Sequence, residues 1–98
     1  MNKAEAITRL CEHAAELERR GVTGMYLFGS TARDEQGAAS DVDVFFDYRQ
    51  DGHFSLFDVM DVHEFVEHVL QVKADVVPRK SLHRRIRDQV VREAIRIF

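Results

Sequence analysis

The sequence predicts an α/β fold: a small sheet covered by helices, in the order α-β-α-β-α-β-α. Three observations predict it. Short apolar runs closed by glycine or proline, "GMYLFG" and "KADVVP", read as buried strands. "DVDVFFD" alternates like a strand with two different faces. Around these runs, apolar residues recur every three or four positions, the spacing of helices packed on a sheet. A chain of 98 residues can bury one core, so residues 1–98 are expected to form a single domain.

Residues 3–20 are expected to form the first helix. Asn2 caps it, and Glu5, three residues on, suits a capping box. Ile7, Leu10, Cys11, Ala14 and Leu17 give its apolar face, which places the one cysteine in the core; Gly21 ends it. "GMYLFG" is the first strand. One or two helical turns open at Ser30, and "EQGAAS" is a loop in which Ser40 supports a turn. "DVDVFFD" is the second strand and "YRQDGH" the turn after it. Ser55 and Asp58 cap a strong helix whose apolar face is Leu56, Val59, Met60, Val62, Val66, Val69 and Leu70. Phe54 and Phe57 are expected at the core or the helix edge. "KADVVP" is the third strand, stopped by Pro78. Ser81 caps the last helix, in which Leu82, Ile86, Val90, Ala94 and Ile97 recur.

Net charge is -3, but the charges are unevenly spread. Residues 1–78 carry 7 basic and 15 acidic residues, whereas residues 79–98 carry 7 basic and 2 acidic. An acidic body with a basic end points to a cation site or a partner. The basic end has no interleaved aromatic platform for single-stranded nucleic acid. Its Arg84–Asp88 and Asp88–Arg92 spacings suit surface pairs, so a solvated or partner-facing helix is expected and nucleic-acid binding is not. No apolar run reaches the length of a membrane span, and "MNKAEAITRL" lacks the apolar middle of a secretion signal. The expected compartment is the cytoplasm. "HEFVEH" is not a zinc motif: His63 and His68 lie at i and i+5, about 140° apart around a helix.

The second strand poses the chemical question. Val42, Val44 and Phe46 share the face that joins the core, while Asp41, Asp43 and Phe45 share the other. The Cα atoms of Asp41 and Asp43 lie roughly 6.5–7 Å apart, so their carboxylates can converge. Two anions that close raise each other's pKa and cost stability unless a cation sits between them. A hard divalent ion such as Mg²⁺ takes oxygen ligands of this kind. Asp47 has the same parity but lies at the strand end, where solvation is expected. Upstream, Gly29 permits close approach of a ligand, and a helix opening at Ser30 offers free N–H groups and a hydroxyl to an anion. Arg33, one turn later, either reaches a phosphate or pairs with Asp34 or Glu35. Asp75 is the one acid of the third strand; beside the second strand it joins the same cluster, as a metal ligand or as the base nearest an attacking hydroxyl.

The run "LFGSTAR…SDVDVFF", with "SLFDVMDV" and "KADVV" after it, resembles the minimal nucleotidyltransferase (MNT) domains of the polymerase-beta-type superfamily. The resemblance covers roughly residues 20–95 and implies a mixed three-stranded sheet flanked by about four helices. It implies transfer of a nucleoside monophosphate to a hydroxyl with release of pyrophosphate. Gly29 and Ser30 would hold the triphosphate, Asp41 and Asp43 one or two Mg²⁺ ions, and Asp75 would be the third carboxylate. Many relatives have glycine where this chain has Asp34; either Asp34 itself tolerates the left-handed turn or Gly37 takes it instead. Stand-alone MNT proteins resemble the antitoxins of HEPN–MNT pairs, which implies AMP transfer from ATP to a tyrosine of a HEPN-type toxin. The alternative is a non-catalytic module that neutralises its partner by complex formation. Base preference and homo- or hetero-oligomeric state stay open.

Overall fold

The computed structural model describes residues 1–33 and 41–98. Residues 34–40, which include Asp34, Glu35, Gly37 and Ser40, lie outside the described residues. Helices α1 (Lys3–Glu12) and α2 (Ala14–Arg19) lead into strand β1 (Val22–Phe28), the single turn α3 (Gly29–Ala32) and strand β2 (Val42–Tyr48). Helix α4 (Leu56–Leu70), strand β3 (Ala74–Pro78), a 3-10 turn (Arg79–Ser81), helix α5 (Arg87–Glu93) and strand β4 (Ile95–Arg96) complete the order.

The predicted first helix is two helices. The Asn2 side chain accepts from the Glu5 backbone N–H at 2.9 Å, so its start is as expected. At His13 the ring Nδ1 lies 2.8 Å from the Arg9 carbonyl, and the His13 N–H donates to Leu10 instead. The side chain thus takes the acceptor that the next helical turn would use, and the helix breaks there. Ala6, Leu10 and Leu17 are buried, but Cys11 is exposed, contrary to expectation. It sits about 100° around the helix from Leu10, off the buried stripe.

Among the described residues the sheet has four strands, in the order β3-β2-β1-β4. β1 runs antiparallel to both β2 and β4, and β2 runs parallel to β3. The mixed character is as implied; the fourth strand is additional. Residues 81–98 were expected to be helical throughout. Leu82 is instead extended, helix starts only at Arg87, and Ala94 returns to extended backbone. Ile95 and Arg96 then pair with Leu27 and Tyr26. The β-branched Ile95 and Ile97 gain more from strand pairing beside β1 than from another helical turn.

One face of the sheet carries α1, α2 and α4. Its core is Leu10, Leu17, Met25, Leu27, Val44, Phe46, Val62, Val66 and Leu70, all with no exposed surface. Ser55 and Asp58 form the predicted capping box at α4. Leu56 and Met60, expected on the buried face, are exposed together with Phe57. Val59, Val62, Val66 and Leu70 make the stripe that packs on the core, and Met60 sits about 100° around the helix from Val59, off that stripe. Phe54 stacks on Tyr48 at 4.4 Å and meets Phe46 edge-on, as expected of helix-edge packing.

Candidate functional site

The opposite face of the sheet is open enough to carry charge. Strand alternation puts Asp43, Phe45 and Asp47 on it from β2, and Tyr26 and Phe28 from β1. Phe45 is nonetheless buried, because Tyr26 stacks on it at 4.9 Å and Phe28 leans against it at 5.7 Å. The aromatic floor is half of what makes a site here; the acids at its edge are the other half.

The parallel pairing of β2 and β3 aligns Asp43 with Asp75. Neighbouring strands lie about 4.8 Å apart, so the two side chains rise from the same face next to each other. Asp41 stands one residue before β2 and is exposed. Burial pushes the Asp43 carboxyl above its ordinary value, and the charges of Asp75 and Asp41 push it further. Arg33 pulls it back. Two of the acids singled out in the sequence, Asp75 and Asp41, therefore act electrostatically on the third, Asp43. Among the described residues, no three His, Cys, Asp or Glu side chains close into a ready metal cage.

Gly29 explains how Asp43 fits. Phe28 pairs with Asp43, so the chain leaves β1 directly beside that carboxylate. Gly29 has φ of +73°, and a Cβ built there would collide with the Asp43 carboxylate. Glycine supplies both the left-handed turn and the room. The turn that follows is a single helical turn, within the one or two expected, but it opens a residue earlier than Ser30: α3 begins at Gly29, with Phe28 as its N-cap. Ser30 is half-buried and stands next to Gly29. Arg33, at the end of α3, lies 3.8 Å from Glu93 of α5. Its pairing with Asp34 or Glu35 falls outside the described residues.

Two further anchors hold the site. Ala74 opens β3, the edge strand that carries Asp75. Its N–H donates to Glu67 Oε2 at 2.9 Å, and its carbonyl lies 2.8 Å from His63 Nε2. The histidine expected to be a plain surface residue is thus a strand clamp, paired at 3.6 Å with Glu67 on the same face of α4. The second anchor is Arg79, which donates twice to Asp47, at 2.7 and 2.9 Å. Asp47 is therefore paired rather than solvated. The Arg79 guanidinium also lies 5.0 Å from the centres of both Tyr26 and Phe45. The signal was present: once Asp43 stands across from Asp75, the same offset four residues later sets Asp47 across from Arg79.

This frame and its acidic edge define an enzyme class. Residues 10–97 match the nucleotidyltransferase domain family, and the chain belongs to it. It is 36% identical over 87 residues to the protein adenylyltransferase MntA of Thermococcus cleftensis, covering 88% of this chain and 86% of that one. A solved structure provisionally named a minimal nucleotidyltransferase superposes with a TM-score of 0.82 at 30% identity, over 97% of this chain and 95% of that one. A toxin–antitoxin crystal structure with AMP-PNP shares the fold, with a TM-score of 0.69 at 20% identity, over 90% of this chain and 72% of that one. The chain is thus a nucleotidyltransferase of the minimal type. Among the described residues no helix is long and apolar enough to cross a membrane.

Proposed function

We propose that residues 1–98 act as one unit that transfers AMP from ATP, with Mg²⁺, to a tyrosine hydroxyl of a HEPN-type toxin in the cytoplasm, and so serve as its antitoxin. The observation that carries this reading is the alignment of Asp43 with Asp75 beside Gly29, with Asp41 adding its charge. The adenylyltransferase relative and the AMP-PNP-bound toxin–antitoxin neighbour support the choice of reaction and partner.

The residues present fit a divalent cation. All three donors are hard carboxylate oxygens, and a bound cation would offset both the burial that raises the Asp43 carboxyl and the added charges of Asp75 and Asp41. Asp41, Asp43 and Asp75 would hold Mg²⁺, which when bound neutralises phosphate charge and makes the attacking hydroxyl more acidic. Gly29 lets the backbone approach the triphosphate, Ser30 donates its hydroxyl, and Arg33 adds a positive charge. The acceptor oxygen forms a bond to the α-phosphorus as the bond to pyrophosphate breaks. Asp75, on the edge strand and exposed, would take the hydroxyl proton where it serves as the base rather than as a metal ligand.

One observation favours a second reading, neutralisation by binding alone. Leu56, Phe57 and Met60 form an exposed apolar group on α4, of the sort that protein interfaces cover. Incubation with Mg²⁺, labelled ATP and the product of the neighbouring gene separates the two. Label on the partner that is lost in Asp41→Asn supports transfer. Protection without label, unchanged in that variant, supports binding.

A further inference from the structure

The basic end of the chain makes a groove of about 420 Å³ on the acidic face of the sheet, lined by Arg79, Arg87, Asp88, Val91 and Arg92. We infer that this groove recognises an acidic segment of the acceptor protein, a few residues away from the hydroxyl that is modified. The inference rests on the reading of the chain as a protein-modifying transferase and adds how it selects its acceptor.

Position comes first. Arg79 is held by Asp47, which lies on the same face of β2 as Asp43 and four residues further along. Four strand residues span about 13 Å. An acceptor whose hydroxyl reaches the Asp43–Asp75 edge would therefore pass the groove within a short stretch of chain. An extended acceptor chain covers about 13 Å in roughly four residues.

Charge and unmet bonding come second. The Arg87 Nη2 donates to the Lys80 and Leu82 carbonyls, both at 3.1 Å, which fixes the guanidinium. Its Nε is buried and has no hydrogen-bond partner among the described residues. A buried N–H without an acceptor is costly, and the carbonyl contacts hold the Arg87 guanidinium in the groove wall, where its charge favours an incoming carboxylate. No ion pair or hydrogen bond engages Arg92 among the described residues. The expected Arg84–Asp88 pair is absent as well, because Arg84 lies before α5 begins. The groove thus sets Arg87 and Arg92 beside Arg79, which Asp47 already neutralises, against a single acid in the same lining, Asp88. Nucleic acid fits less well. Phe45 is buried, and Tyr26 is stacked on it with the Arg79 guanidinium against both rings, so neither of the two rings beside the groove's Arg79 is left free for a base.

Fluorescence anisotropy tests this with a labelled peptide that carries two glutamates four residues from a tyrosine, and with its glutamine twin. The glutamate peptide should bind the full chain at least about tenfold more tightly. Arg92→Gln should remove about tenfold of that affinity, the ~1.4 kcal/mol of one charge-assisted bond. Arg87→Gln should do the same; if loss of its carbonyl contacts prevents folding, Arg92→Gln alone decides. Equal affinity for both peptides, or no effect of Arg92→Gln, overturns the inference. A uridine oligonucleotide that outcompetes the glutamate peptide also overturns it and assigns the groove to RNA. Selective peptide binding without AMP transfer by the wild type upholds the groove and counts against the transferase reading instead.

Discussion

Replacing Gly29 by alanine tests the centre of the site most sharply. Two costs follow from the geometry. At φ of +73° an L-residue is in left-handed backbone, which costs roughly 1–2 kcal/mol. The new methyl would also collide with the Asp43 carboxylate, and would lie 3.1 Å from its Cγ and 3.3 Å from its Cβ. Forcing an extra carbon into such a space costs about 1–3 kcal/mol. The sum, about 2–5 kcal/mol, is a large share of the ~5–15 kcal/mol that holds a domain this size together. At roughly 4–8 °C per kcal/mol, the Tm should fall by at least about 10 °C. A double-mutant cycle separates the terms. Asp43→Ala removes the two nearest atoms, so Gly29→Ala made in that background should cost only about the backbone share of 1–2 kcal/mol. Denaturant unfolding of the four proteins supplies the numbers. An equal cost of Gly29→Ala in both backgrounds would refute the idea that this glycine makes room for the carboxylate.

The other predictions concern the acids and their supports. The folded pKa of Asp43 lies above 3.8, so its charge costs stability at neutral pH, and that penalty fades as pH falls through the folded value toward 3.8. Without added metal, Asp43→Asn should therefore melt higher than wild type at pH 7, with the gap closing on acidification; a lower Tm at pH 7 would contradict the sign. Glu67→Ala removes the carboxylate that accepts from Ala74 and should cost about 1–2 kcal/mol. It should also weaken Mn²⁺ binding measured by electron paramagnetic resonance, with Glu67→Gln restoring much of both. Arg79→Lys gives up the paired bonds to Asp47 and the planar contact with Tyr26 and Phe45. Both side chains of the pair are about one-third exposed, so the cost should be only about 1 kcal/mol, read as a Tm shift of a few degrees.

The sequence speaks most clearly where one physical rule dominates. The alternation in β2 needed only the choice of a buried face, and Val42, Val44 and Phe46 settle it. The Asn2 and Ser55 caps depend on residues three apart and were equally readable. Asp75 was readable as an acid in an apolar strand, though its alignment with Asp43 is a property of the sheet. What escaped depended on competition between distant groups. The His13 ring outbids a helical N–H for the Arg9 carbonyl, which no periodicity reveals. Val90, Ala94 and Ile97 keep helical spacing across a boundary where β1 claims the chain for a fourth strand. His63, Glu67 and Arg79 look like ordinary surface charges until β3 is set beside β2.

The parallel neighbours β2 and β3 also govern the order of events in folding. Strands with the same direction cannot be joined by a hairpin, and here α4 must cross the sheet before they meet. Pairings of this non-local kind are slow to reward the loop they close. Repulsion between Asp43 and Asp75 should then be absent from early collapsed states and loaded only as the edge strand docks. In a chevron experiment Asp75→Asn should act mainly on the unfolding limb and leave the refolding limb nearly untouched.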